Sequence, residues 1–233
     1  MVKSGQPWLI VDTHLEHLRA STEGQSVWLA ARCPQRWAER VGVEKAIRAH
    51  FPAGLMSRDD LKSLCGDSAI SDHACFVAIM AWGAMKYDHG RTAWSLREHW
   101  TPIVAALRKG SLDRHQAYET FRGFRASHRA SGMGPAYFTK LIFFADPRHD
   151  GYIMDQWTSL SINLLSADGP IVDMVTAVFR GRRTDTVSDR FCRAIEAIGH
   201  RLNCSAEEAE QLLFSQGGRS PAPWRKYIKA NRA

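Results

Sequence analysis

The chain has 233 residues, 45% of them hydrophobic and 24% charged, which makes one large domain or two small lobes and argues against general disorder. Its five cysteines, an odd number with no C-x-x-C pair, argue against a disulfide framework and a zinc ribbon. Lys and Arg exceed Asp and Glu by seven, and this charge with a pI near 9.4 points to a polyanionic partner. No run approaches the ~20 apolar residues of a membrane span. The N-terminus has no basic-then-apolar signal pattern, so the expected location is the cytoplasm.

In chain order, the modest alternation of residues 26–32 makes the one strand candidate. Ser57, followed by Asp59 and Asp60, is a helix N-cap with an acidic first turn. Ser71 opens an apolar helix to about Met85. The segment Lys86 to Arg91 is expected to be a polar loop, with a break around Tyr87–Thr92. Ser95 and Glu98 have capping-box spacing, and Thr101-Pro102 is expected to restart a helix ending at Gly110. Ser111 caps a helix to about His128, and further helices cover 136–145, 155–165 and 186–202. Ser205 and Glu208 form a second capping box. A Pro/Gly-rich break at 216–223 precedes a basic tail containing Arg225, Lys226, Lys229 and Arg232. The pattern predicts an all-α chain without internal repeats.

The segment with most chemical content is Ser131-Gly-Met-Gly-Pro-Ala-Tyr-Phe-Thr-Lys140. Gly132 and Gly134 allow positive φ and close backbone approach, and Pro135 suits a first helical turn. Such a hairpin aims backbone amides and a helix N-terminus outward, which suits a phosphate. Gly-x-Gly-Pro also suits an ordinary helix–helix turn. Twenty-one residues after Gly134, in Ile-Met-Asp, stands Asp155 at the start of another helix, where it also reads as an N-cap.

On these residues the chain resembles the helix–hairpin–helix DNA glycosylases, whose signature is a Gly-x-Gly hairpin with an essential Asp about twenty residues on. Gly132-Met-Gly134 matches the hairpin and Asp155 the aspartate. Gly-Met-Gly-Pro resembles the alkyladenine branch most. The run Gly-Pro-Ala-Tyr-Phe-Thr-Lys with Ile-Met-Asp is similar to a bacterial group described as 8-oxoguanine-glycosylase-like, and some members of the broader group act in phage defence on modified viral bases. The resemblance covers about residues 111–165. It implies one glycosylase-like domain over 1–233, two-lobed and all-α, with the active site in the cleft between lobes. It also implies a monomer acting on double-stranded DNA that carries a damaged or modified base, with no cofactor and no metal.

The resemblance gives Asp155 the catalytic role and Gly132, Met133, Gly134, Pro135 and Ala136 the contact to phosphate. Arg125, Arg129 and Arg148 are candidate phosphate partners by charge and position. The position of the nucleophilic Lys in bifunctional members is Ala136 here, which favours a monofunctional enzyme; Lys140, one turn on, is the alternative amine. The four clustered C-terminal cysteines of the endonuclease III type are missing. Trp82, Tyr87, Asp88 and Trp157 are candidates for a pocket that stacks on and reads a flipped base. His73 and His89 lack ligand spacing, and Met80, Met85 and Met154 read as core. A non-catalytic DNA-binding protein and an all-α adaptor are the other readings.

Overall fold

A computed structural model describes residues 8–22, 32–128, 131–172, 187–215 and 222–231. Among these residues the chain is all-helical, and its one bridge pairs Ile10 with Ser166. Most of the strand candidate at 26–32, most of the 216–223 break, Arg129 and Arg232 lie outside them. The helices are α1 (Asp12–Thr22), α2 (Pro34–Val41), α3 (Lys45–Arg48), α4 (Arg58–Gly66), α5 (Asp72–Trp82), α6 (Tyr87–Ser95) and α7 (Arg97–Arg108). They continue with α8 (Arg114–Ala126), α9 (Pro135–Ala145), α10 (Gln156–Leu165), α11 (Val187–Leu202), α12 (Ala206–Phe214) and α13 (Pro223–Asn231). None of the described helices is long and apolar enough to cross a membrane.

The chain divides into two compact units, one formed by Val27–Gly151 and the other by Met1–Ser26 with Tyr152–Ala233. The Val27–Gly151 unit is built around α5 and α9. Residues 74–82 of α5 and 138–145 of α9 are all buried, as expected of helices apolar on every face. Helices α4, α7 and α8 pack on α9, and α2 packs on α5 and α6. Phe76 stacks on Trp100 at 4.0 Å, and Phe138 lies parallel to Phe121 at 5.5 Å. In the other unit α13 packs on α1 and α10. The buried Trp224 donates its indole N–H to Ser161 Oγ at 2.9 Å, and that hydroxyl donates to the Leu213 carbonyl at 2.7 Å. The basic tail is therefore part of a core, because Trp224 and Ile228 place one apolar stripe on it.

Four local expectations change. The 86–92 segment is helical from Tyr87, with Lys86 at the N-cap position. Gly90, inside that segment, lets α6 lie against α2: a Cβ there would fall 2.6 Å from the Trp37 ring. Ser95 ends α6, its hydroxyl donating to the Thr92 carbonyl, and caps nothing. Helix α7 begins at Arg97 and runs through Pro102 without a restart. Asp113, not Ser111, caps α8, through a capping box with Gln116. The caps at Ser57, Ser71 and Ser205 stand as expected.

The turn before α9 separates its two glycines. Gly132 has φ +83°, and a Cβ there would meet the His89 carbonyl oxygen at 2.7 Å. Gly134 is the N-cap of α9 with φ −77°, and nothing lies within 4 Å of the place its Cβ would take. Gly132→Ala should therefore destabilise the protein by at least about 1 kcal/mol, the cost of a left-handed L-residue. Gly134→Ala should stay within about 0.5 kcal/mol of the parent. Urea titration of both variants checks the contrast.

Candidate functional site

The two elements singled out by the sequence lie in different units. The Gly132–Ala136 turn and Lys140 belong to Val27–Gly151, and Asp155 belongs to the other unit.

Helix α8 leads into the turn, and α9 follows from Pro135 and packs against α8. The amides of Tyr137 and Phe138 both donate to the Gly134 carbonyl, at 2.8 and 3.1 Å. Among the described residues the amides of Gly132, Met133, Gly134 and Ala136 donate to no backbone carbonyl. Gly134 and Ala136 are the open donors expected at the start of an eleven-residue helix whose N-cap has no side chain, and Gly132 and Met133 precede that N-cap. Met133 is buried whole, at 1% exposure, so it packs into the core and presents almost no surface to a ligand. Gly134 and Ala136 are half-buried. The cluster can take an anion at a helix N-terminus.

Lys140 is buried on α9, and its side chain folds back along its own helix. Nζ donates to the Ala136 carbonyl oxygen at 2.6 Å and stands 6.0 Å from the Tyr137 ring centre. A Cβ on Gly83 would lie 2.7 Å from Lys140 Cδ, so Gly83 makes room for the aliphatic stem. The amine is thus level with residue 136, one turn before its own Cα, as the backward tilt of helical side chains dictates.

Asp155 is the N-cap of α10. Its Oδ1 accepts from the amides of Trp157 at 2.7 Å and Thr158 at 2.9 Å, and its own amide donates to Thr158 Oγ1 at 2.9 Å. This reciprocal box fixes the carboxylate, which remains half-exposed. Tyr152, Ile153 and Met154 before it are buried, anchoring the strand of chain that presents it. Arg225 of α13 was not foreseen at this place. Its guanidinium donates to the carbonyls of Phe214 and Ser215 and lies 4.5 Å from the Trp157 ring centre. Burial pushes its pKa down, and the Asp155 charge opposes that shift. Lys229, one turn on, stands 5.7 Å from the same ring. The only sequence signal for this pair was a basic run with Trp224 and Ile228 one turn apart.

The other candidates fall in several places. Trp82 is 3% exposed and packs edge-on to Phe144, with Arg58 above the ring. Tyr87 and Asp88 sit together at the start of α6, whereas Trp157 is beside Asp155 in the other unit. Arg148 is held by the fully buried Asp146, with Nη2–Oδ2 at 2.7 Å, and also donates to the Leu112 carbonyl. That bond raises its pKa further. Arg125 is exposed in the last turn of α8. His73 bonds Thr101 Oγ1 at 3.1 Å, and His89 lies edge-on to Tyr137.

No curated protein and no solved structure matches the chain. The family described as "Putative 8-oxoguanine DNA glycosylase OGG-like protein" matches residues 20–214, a span that contains the turn, Lys140 and Asp155. With most of its length inside that match, the chain belongs to the OGG-like family.

Proposed function

We propose that this protein is a DNA glycosylase that flips a damaged or modified base out of double-stranded DNA and excises it by hydrolysis, leaving an abasic site. The observation that carries this reading is the set of open, half-buried amides of Gly132, Gly134 and Ala136, at the N-terminus of a helix that the core holds rigidly. They suit a backbone phosphate, which positions the strand without reading its sequence. Membership in the OGG-like family supports a glycosylase over a binding module.

Asp155 is the catalytic residue in this reading. Cleavage of the N-glycosidic bond builds positive charge on the sugar, and a fixed carboxylate near C1′ stabilises it and orients the attacking water. Its box with Thr158 supplies the fixing. Trp157 is the pocket candidate beside it, its ring braced by Arg225. The excised base is an oxidised or alkylated purine of the genome or a modified base of a viral one. Mass spectrometry of bases released from 8-oxoguanine, alkylated and phage-type modified DNAs reads the substrate directly.

Asp155→Asn should lower base release on the order of 100-fold or more. It should leave stability and DNA affinity near the parent, because Asn caps a helix as well as Asp does. Single-turnover release measured beside duplex binding checks this; near-normal release would remove Asp155 from the mechanism.

Gly134→Val should weaken binding to all duplexes alike while the fold stays intact, because nothing lies within 4 Å of the place its Cβ would take. A loss confined to lesion-bearing DNA would contradict a phosphate contact at the turn.

A second reading, a glycosylase/lyase using Lys140, is favoured by one observation: Nζ reaches the level of Ala136, where bifunctional relatives carry their amine. Attack would require the buried amine to leave the Ala136 carbonyl and lose a proton. The monofunctional reading predicts no borohydride-trapped protein–DNA adduct. A trapped adduct that disappears in Lys140→Gln would make Lys140 the nucleophile.

A further inference from the structure

A second cluster of cations lies in the Val27–Gly151 unit and has no part in the reading above. Arg32, Arg40, Lys86, Tyr87, Asp88 and Arg91 line a recess of about 460 Å³. Packing of α2 against α6 builds it. Gly90 lets α6 approach the Trp37 ring, and the Met85 carbonyl accepts from both Trp37 Nε1 at 2.8 Å and Arg32 Nη1 at 2.9 Å. Arg91 ties the two helices by donating to the Arg40 carbonyl at 2.9 Å. The guanidinium carbons of Arg32 and Arg40 lie 4.7 and 5.1 Å from the centre of the same ring, Tyr87, which holds both in the recess.

Four cations thus face one acid, Asp88, and that acid is paired with Arg91. Among the described residues no carboxylate pairs with Arg32, Arg40 or Lys86. Like charges gathered this way repel one another, and a bound polyanion relieves the repulsion. The same helical turn also backs the Gly132–Ala136 amides. Gly132 lies against the backbone carbonyl of His89, and the His89 ring is edge-on to Tyr137 at 6.3 Å. His89 stands between the recess residues Asp88 and Arg91, so recess and turn share one rigid support.

We infer that the recess is a second phosphate site, gripping the backbone of the strand whose phosphate rests on the Gly132–Ala136 turn. The inference rests on the DNA-binding reading above. A short lesion-free duplex, titrated by fluorescence anisotropy across a salt series, tests it. Arg40→Gln and Lys86→Gln should each make the log–log salt slope shallower by about 1, and the double variant by about 2. Asp88→Asn should tighten binding, a gain that a folding defect does not produce. A steep parent slope left unchanged by the double variant would overturn the recess inference alone. A flat parent slope would overturn it together with the DNA reading. Inorganic pyrophosphate bound by the parent, with a DNA slope that the double variant does not alter, would assign the recess to a small ligand and overturn the strand assignment.

Discussion

The fixed axis of α9 is the constraint on which the candidate phosphate site depends. From Phe138 to Ala145 every residue of this helix is buried, so it has no solvent face about which to roll. Each large side chain in that run contributes about 1.5–3 kcal/mol by leaving water, and sliding the helix by one residue would misplace all of them. The N-terminus is thereby aimed by the core. Its amides stay open because Gly134 has no side chain to cap them and Pro135 has no N–H. A helix that began with Ser or Asp would have satisfied its own donors and had less to offer an anion. The turn is held by contact as well as conformation, since Gly132 rests on the His89 carbonyl where no larger residue fits.

Asp155 shows the opposite economy, in which a carboxylate is used twice. As an N-cap it stabilises α10 through Oδ1, and that bonding fixes the group in space. A carboxylate on a free side chain would sample rotamers and lose much of the benefit of preorganisation. The nearby charge of Arg225 is itself anchored, since its donors are committed to the carbonyls that end α12. That places α13 in the architecture of this site and explains why a basic C-terminal run carries a buried Trp224.

The parts legible in the sequence are those that local chemistry decides. Ser57, Ser71, Ser205 and Asp155 cap helices because their side chains reach amides two or three residues on, whatever the rest of the chain does. The burial of α5 and α9 follows from apolar residues on every face. Local misreadings are Ser95 and Ser111, whose hydroxyls donate back to the carbonyls of Thr92 and Ala106 instead of capping the next helix; the others occur where a distant partner decides. Gly90 punctuates a polar stretch in sequence, but its missing Cβ is what α2 needs in order to pack. Pro102 suggests a new start, yet α7 continues through it. Gly132 and Gly134 look equivalent, and only Gly132 takes a positive φ. Trp82 and Trp157 are both aromatic residues near polar ones, and packing alone separates a core indole from one beside a carboxylate.

Charge is the property for which sequence was the weakest guide, and the reason is physical. In sequence Arg148 reads as a phosphate partner and Arg225 as one cation of a basic tail. One is spent on the buried Asp146 and the other on the carbonyls of Phe214 and Ser215. Removing either would leave buried acceptors without donors, so both act first as structural ties. Arg40 and Lys86 stand in no basic run and are forty-six positions apart, yet α2 and α6 bring them to one recess lined by a single acid. What makes a cation available to a ligand is the lack of a better partner within reach, and that is a property of the packed helices. A surplus of seven positive charges therefore says that an anion is welcome. Where it lands is decided by which arginines the fold has left uncommitted.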